Sequence, residues 1–131
     1  MSLVDSSAWI ELFRNTRTKT HKRLRAKIQS GHELVTTEPV AMELLAGARS
    51  AADRRLIRRA LAACRPISVD NTGDWEDAAA IYLRCRSEGV TPRQLIDCLI
   101  AAAAIRGGVP ILAGDRDFEL IAAHSPLEIA K

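Results

Sequence analysis

Short apolar runs alternate with longer segments of helical period along this chain, and that alternation most limits the folds open to it. Strands that are buried on both faces and return through helices belong to a parallel sheet. Ser2–Val4 begins the first run. The periodic segment after it carries Trp9, Ile10, Leu12 and Phe13, with Ser6 or Ser7 as its expected cap. Residues 19–30 read as a basic amphipathic helix, with Leu24 and Ile28 four apart. Further strands are expected at Glu33–Thr37, Pro66–Val69 and Val109–Ala113, with a fifth at Leu127–Ile129. Helices fill the intervals: Pro39 to Gly47, 51–63, Asp74 to Glu88 behind a Thr72 cap, Pro92 to Arg106, and Asp117 to Ala123. No repeat, low-complexity tract or linker interrupts the 131 residues, so one α/β domain over 1–131 is expected.

With 47% hydrophobic and 27% charged residues, such a chain buries a core without disulfides and is not disordered. Cys64, Cys85 and Cys98 are odd in number and form no C-x-x-C pair, so they are expected as reduced thiols in the core. The longest apolar run, Leu99 to Ile105, is far short of a membrane span. No secretory signal is visible, and a cytoplasmic location is expected. The overall charge of +3 conceals an asymmetry. Residues 1–65 hold 13 Lys/Arg against 6 Asp/Glu, and residues 66–131 hold 6 against 10. That split fits a basic face for a polyanion, although a merely solvated basic surface accounts for it equally well.

Four acids stand out by position. Asp5 ends the first strand, and Asp115 follows the fourth, where open parallel sheets bind their ligands. Glu43 shares a helix face with Val40 and Gly47, and Asp97 interrupts an apolar stretch from Leu95 to Ala101. A carboxylate in such a place must be paired, protonated or bound to a metal. Each acid has a plain structural role open to it: Asp5 as a helix cap, Asp97 as a partner of Arg93, Asp115 or Asp117 as turn residues. None of these roles accounts for all four together. Converging carboxylates repel, and a divalent cation turns that repulsion into binding. Oxygen-only ligands suit Mg²⁺ or Mn²⁺. His21, His32 and His124 are scattered and offer no zinc spacing, and phosphate-loop, dinucleotide and serine-hydrolase signatures are absent.

The segments around these acids resemble those of a known family. Val4-Asp5-Ser6-Ser7-Ala8-Trp9-Ile10 resembles the opening of PIN-domain ribonucleases, more narrowly the VapC-type toxins of bacterial toxin–antitoxin pairs. Thr36 to Leu44, Asp97 to Ala103 and Leu112 to Phe118 are similar to the second, third and fourth acidic motifs, in the expected order. The resemblance implies a three-layer α/β/α fold around a parallel sheet of about five strands. It also implies Mg²⁺- or Mn²⁺-dependent endoribonuclease activity through a metal-activated water. By matching position, Asp5, Glu43, Asp97 and Asp115 are the metal-binding and catalytic acids, and Asp117 is a fifth candidate. Gly114 stands where some relatives carry a larger polar residue. A cognate antitoxin and a homodimer are implied as well.

Arg14, Arg17, Lys19, Lys22 and Arg23 lie in a stretch without acids and are the expected RNA contacts. Aromatic residues make up only 4%, which favours a folded RNA such as a tRNA over a stacked single strand. Two other classes stay open on the residues alone. An aspartyl phosphatase-like domain would use Asp5, but its usual second Asp two positions on is here Ser7. A non-catalytic RNA- or protein-binding α/β module would leave the four acids without a shared purpose.

Overall fold

The computed structural model describes all residues, 1–131. Four parallel strands, β1 (Ser2–Val4), β2 (Leu34–Thr36), β3 (Arg65–Pro66) and β4 (Ile111–Leu112), form a sheet in the order β3-β2-β1-β4. Leu3 sits between Val35 of β2 and Ile111 of β4 in register. Seven helices flank the sheet: α1 (Ser6–Phe13), α2 (Lys19–Gln29), α3 (Glu38–Ala46), α4 (Ala51–Ala62), α5 (Gly73–Ser87), α6 (Leu95–Gly107) and α7 (Asp117–Ala123). The chain winds one way from β1 to β3 and the other way to β4. The order therefore reverses between β1 and β4, the switch point at whose carboxyl ends open parallel sheets bind their ligands. No helix is long and apolar enough to cross a membrane.

The expected fifth strand reduces to one parallel bridge between Ile111 and Ile129, held by two backbone bonds to Ile111. The third strand is also shorter than expected. After Ile67, side chains claim the backbone: Glu38 accepts the Val69 N–H, Asp74 accepts the Asp70 N–H, and Arg106 donates to the Ser68 carbonyl. The sixth helix starts at Leu95 rather than Pro92, because the Arg93 N–H is bonded to Asp117 and Gln94 is extended. Asp5, not Ser6 or Ser7, caps α1, and Thr72 makes no side-chain cap to α5.

The first three turns of α6 set the centre of the fold. Every residue from Asp97 to Ala104 is buried, so the middle of the helix is enclosed on all sides, while Leu95 and Arg106 at its ends reach the surface. Its alanines let α5 approach closely. Gly108, at φ 64°, ends it in the left-handed conformation that glycine tolerates best. The three cysteines are free and buried, as the sequence predicts.

Asp74 at the start of α5 is fully buried and pairs with Arg106 at the end of α6. Burial alone would raise its pKa, but the Arg106 hydrogen bonds and the Asp70 N–H outweigh that and hold it below the usual carboxylate range. Stability from this pair is present at neutral pH and is lost as pH falls through the depressed value. Arg106→Ala should cost about 3 kcal/mol in urea unfolding at pH 7, because it strands a buried charge. A loss below about 0.5 kcal/mol would mean that the pair is incidental.

Candidate metal centre at the sheet switch point

Acids from separate elements lie near the carboxyl ends of β1 and β4. Asp5 follows β1 and is buried, with 3% of its surface exposed. Its Oδ2 accepts the Ser7 N–H at 3.0 Å and the Ser7 hydroxyl at 2.5 Å. The Ser7 Oγ in turn accepts the Gly114 N–H at 2.9 Å, so one hydroxyl ties the end of β1 to the loop after β4. The Ser6 hydroxyl donates to Glu43 Oε1 at 3.2 Å and orients that half-buried carboxylate from α3. The two serines, expected as caps, thus act on the acids instead.

Asp97, 4% exposed in the first turn of α6, lies close to Asp115 and Asp117. These three offer carboxylate oxygens that all lie within 4.8 Å of one another. Asp115 Oδ1 also accepts the Asp117 N–H at 2.9 Å, which fixes the turn between them. Burial and the neighbouring charges of Asp5, Asp115, Glu43 and Asp117 push the Asp97 carboxyl up to about 7. Burial, then the field of Asp5, raises Glu43. Burial outweighs the Ser7 hydrogen bonds and raises Asp5 as well. Asp97 therefore feels the charge of the other three predicted acids and of Asp117, and Glu43 that of Asp5 and Asp115.

Three carboxylate oxygens are buried without a hydrogen-bond partner: Asp5 Oδ1 and Asp97 Oδ2 within the centre, and Glu11 Oε2 beside Gly114. Unpaired buried acceptors are costly, and a cation satisfies them where a neutral donor does not. The donor set is oxygen throughout, which fits Mg²⁺ or Mn²⁺. Asp97 does not pair with Arg93. That guanidinium instead reaches Asp115 and Asp117, a long-range contact with no local signal in sequence. Gly114 has a structural reason of its own: the Glu11 carboxylate fills the space a Cβ there would need.

Of the expected RNA contacts, Arg14, Arg17, Lys19 and Lys22 are exposed and Arg23 is half-buried. Thr20 beside them donates to the Ala113 carbonyl, which ties the basic start of α2 to the loop carrying Asp115. A groove of about 310 Å³ lies against Glu43, lined by Ile10, Phe13, Leu44 and Leu56 with Arg14, Arg49 and Asp53. Trp9, in contrast, is core and stacks on Phe13. The histidines lie elsewhere in function: His21 Nδ1 accepts the Arg17 N–H, and His32 bonds Ser2 at the opposite end of β1.

The PIN domain model matches residues 2–123. Ribonuclease VapC11 of Mycobacterium tuberculosis is 37% identical, with 99% of this chain and 98% of that protein covered. Among solved structures, a toxin–antitoxin complex from Klebsiella pneumoniae aligns with a TM-score of 0.71 at 22% identity, covering 98% of this chain and all of that one. VapC20 of Mycobacterium tuberculosis, described as a sarcin–ricin loop cleaving toxin, aligns at 0.68 with 21% identity and 94% and 95% coverage.

Asp97 gives a direct test of the buried charge. Its raised native pKa means that the folded state holds the proton more tightly than the unfolded chain. Its contribution to stability is therefore full below the ordinary value of 3.8 and is lost as pH rises through about 7. In chelator at pH 8, Asp97→Asn should be more stable than the parent chain by about 2–4 kcal/mol. Thermal unfolding between pH 4 and pH 8 reads it, and a variant less stable at pH 8 would refute the strained-carboxylate account.

Proposed function

The chain belongs to the PIN-domain family, and on that premise we propose that it is a metal-dependent endoribonuclease, the toxin of a toxin–antitoxin pair. The observation that carries this reading is the cluster of Asp97, Asp115 and Asp117, with the buried Asp5 and the half-buried Glu43 close enough to act on Asp97, and with Asp5 Oδ1 and Asp97 Oδ2 lacking any partner. We assign these four acids to metal binding and catalysis, with Asp117 beside them. A Mg²⁺ or Mn²⁺ ion held there would supply positive charge at the scissile phosphate and lower the pKa of water.

The chain's own residues do the rest. Ser7 restrains Asp5 through two hydrogen bonds and Ser6 restrains Glu43 through one, so both acids are held in place before any ligand arrives. The enclosed α6 keeps Asp97 at a fixed depth. His21 and His32 are committed to contacts with Arg17 and Ser2, and we assign proton transfers at the centre to the carboxylates and water.

The substrate we infer is a folded RNA gripped through its backbone by Arg14, Arg17, Lys19, Lys22 and Arg23. Their position beside the Asp115 loop supports this, and so does the description of VapC20 as a sarcin–ricin loop cleaving toxin. A protein antitoxin is the partner suggested by the Klebsiella pneumoniae complex. The groove against Glu43 is the place we assign to it, since an apolar segment lying there would also cover that acid. A homodimer is expected on the family resemblance alone.

Asp5→Asn should abolish RNA cleavage while leaving the circular dichroism unchanged, because an amide oxygen still accepts the Ser7 N–H. Cleavage by the purified variant at the parent rate would end the assignment. RNA affinity should fall steeply between 50 and 200 mM salt, by about tenfold or more if several phosphates are neutralised. A salt-independent affinity would remove the basic face from the reading.

A further inference from the structure

Arg93 stands just before α6 and is the one cation bonded to the acidic centre. Its Nη2 donates to Asp115 Oδ1 at 2.9 Å and its Nε to Asp117 Oδ2 at 3.2 Å. Even so, 73% of its side chain is exposed. Its backbone N–H separately donates to Asp117 Oδ2 at 2.9 Å. The main chain is thus anchored whatever the guanidinium does.

Asp115 and Asp117 are also two of the three acids whose oxygens come within 4.8 Å of one another. A guanidinium and a divalent ion would draw on the same carboxylates. The ion carries twice the charge in a smaller volume and has no side-chain entropy to lose. The guanidinium, by contrast, has an equally good alternative. Its planar fork matches the oxygens of a phosphate and it stays charged at every working pH.

We propose that Arg93 is a displaceable counter-cation: a divalent ion binding among Asp97, Asp115 and Asp117 takes over the carboxylates that the guanidinium holds, and the freed side chain turns to the RNA phosphate. This rests on the nuclease reading above. Arg93 then serves twice, restraining repulsion between the acids and afterwards positioning the substrate. The competing role is a plain strut between residues 92–94 and the start of α7.

Calorimetric titration with Mn²⁺ of the full chain and of Arg93→Gln separates the two. Removing the competitor should tighten Mn²⁺ binding by about fivefold. At saturating Mn²⁺, cleavage of a folded RNA by the variant should show a raised KM. Unchanged or weaker Mn²⁺ binding would overturn the exchange, and a lower melting temperature with unaltered Mn²⁺ affinity would assign the strut. Tighter Mn²⁺ binding with unimpaired cleavage would overturn the phosphate contact. If the parent chain itself took up no Mn²⁺, the metal-dependent nuclease reading would fall, and this inference with it.

Discussion

Like charges brought together out of water are the constraint around which this molecule is arranged. Asp5, Glu43, Asp97 and Asp115 sit where the sheet reverses its winding, and burial pushes three of them above their ordinary pKa. Such a cluster persists only if the scaffold holds it. The enclosed α6, the double use of the Ser7 hydroxyl and the Arg93 fork all supply that restraint. Folding free energy is spent on keeping carboxylates close, which is a common mark of a binding or catalytic centre rather than of a structural one.

Asp74 makes the contrast within the same chain. It is as buried as Asp97, yet its pKa moves down, because Arg106 and a backbone N–H complete its hydrogen bonds. Asp97 has one oxygen with no partner and its pKa moves up. Burial alone therefore does not distinguish a structural acid from a functional one. The decisive property is whether the protein itself satisfies the charge.

Much of this was legible in the sequence because it depends on local pattern. Asp5 and Asp115 follow apolar runs, and Asp97 breaks an apolar helix, so their places at a sheet edge and in the core could be reasoned from neighbours. What escaped depends on contacts distant in sequence. Ser6 and Ser7 read as caps because nothing nearby reveals Glu43 or Gly114. Pro92 reads as a helix start because the claim of Asp117 on the Arg93 N–H comes from 24 residues away. The third strand was overextended for the same reason: Glu38, Asp74 and Arg106 take its backbone groups. The basic stretch was visible as composition, but its attachment beside Asp115 rests on one bond from Thr20.

The Ser7–Gly114 bond has a further consequence for how the protein is made. Its two residues are 107 positions apart, and β1 gains one of its two neighbouring strands only when β4 is present. A chain emerging from the ribosome therefore carries Asp5, Glu43 and later Asp97 without the segment that brings them to Asp115. Unfinished translation products lack an assembled centre. The long return of the chain to its first strand thus leaves the acidic centre incomplete until a late stage of synthesis.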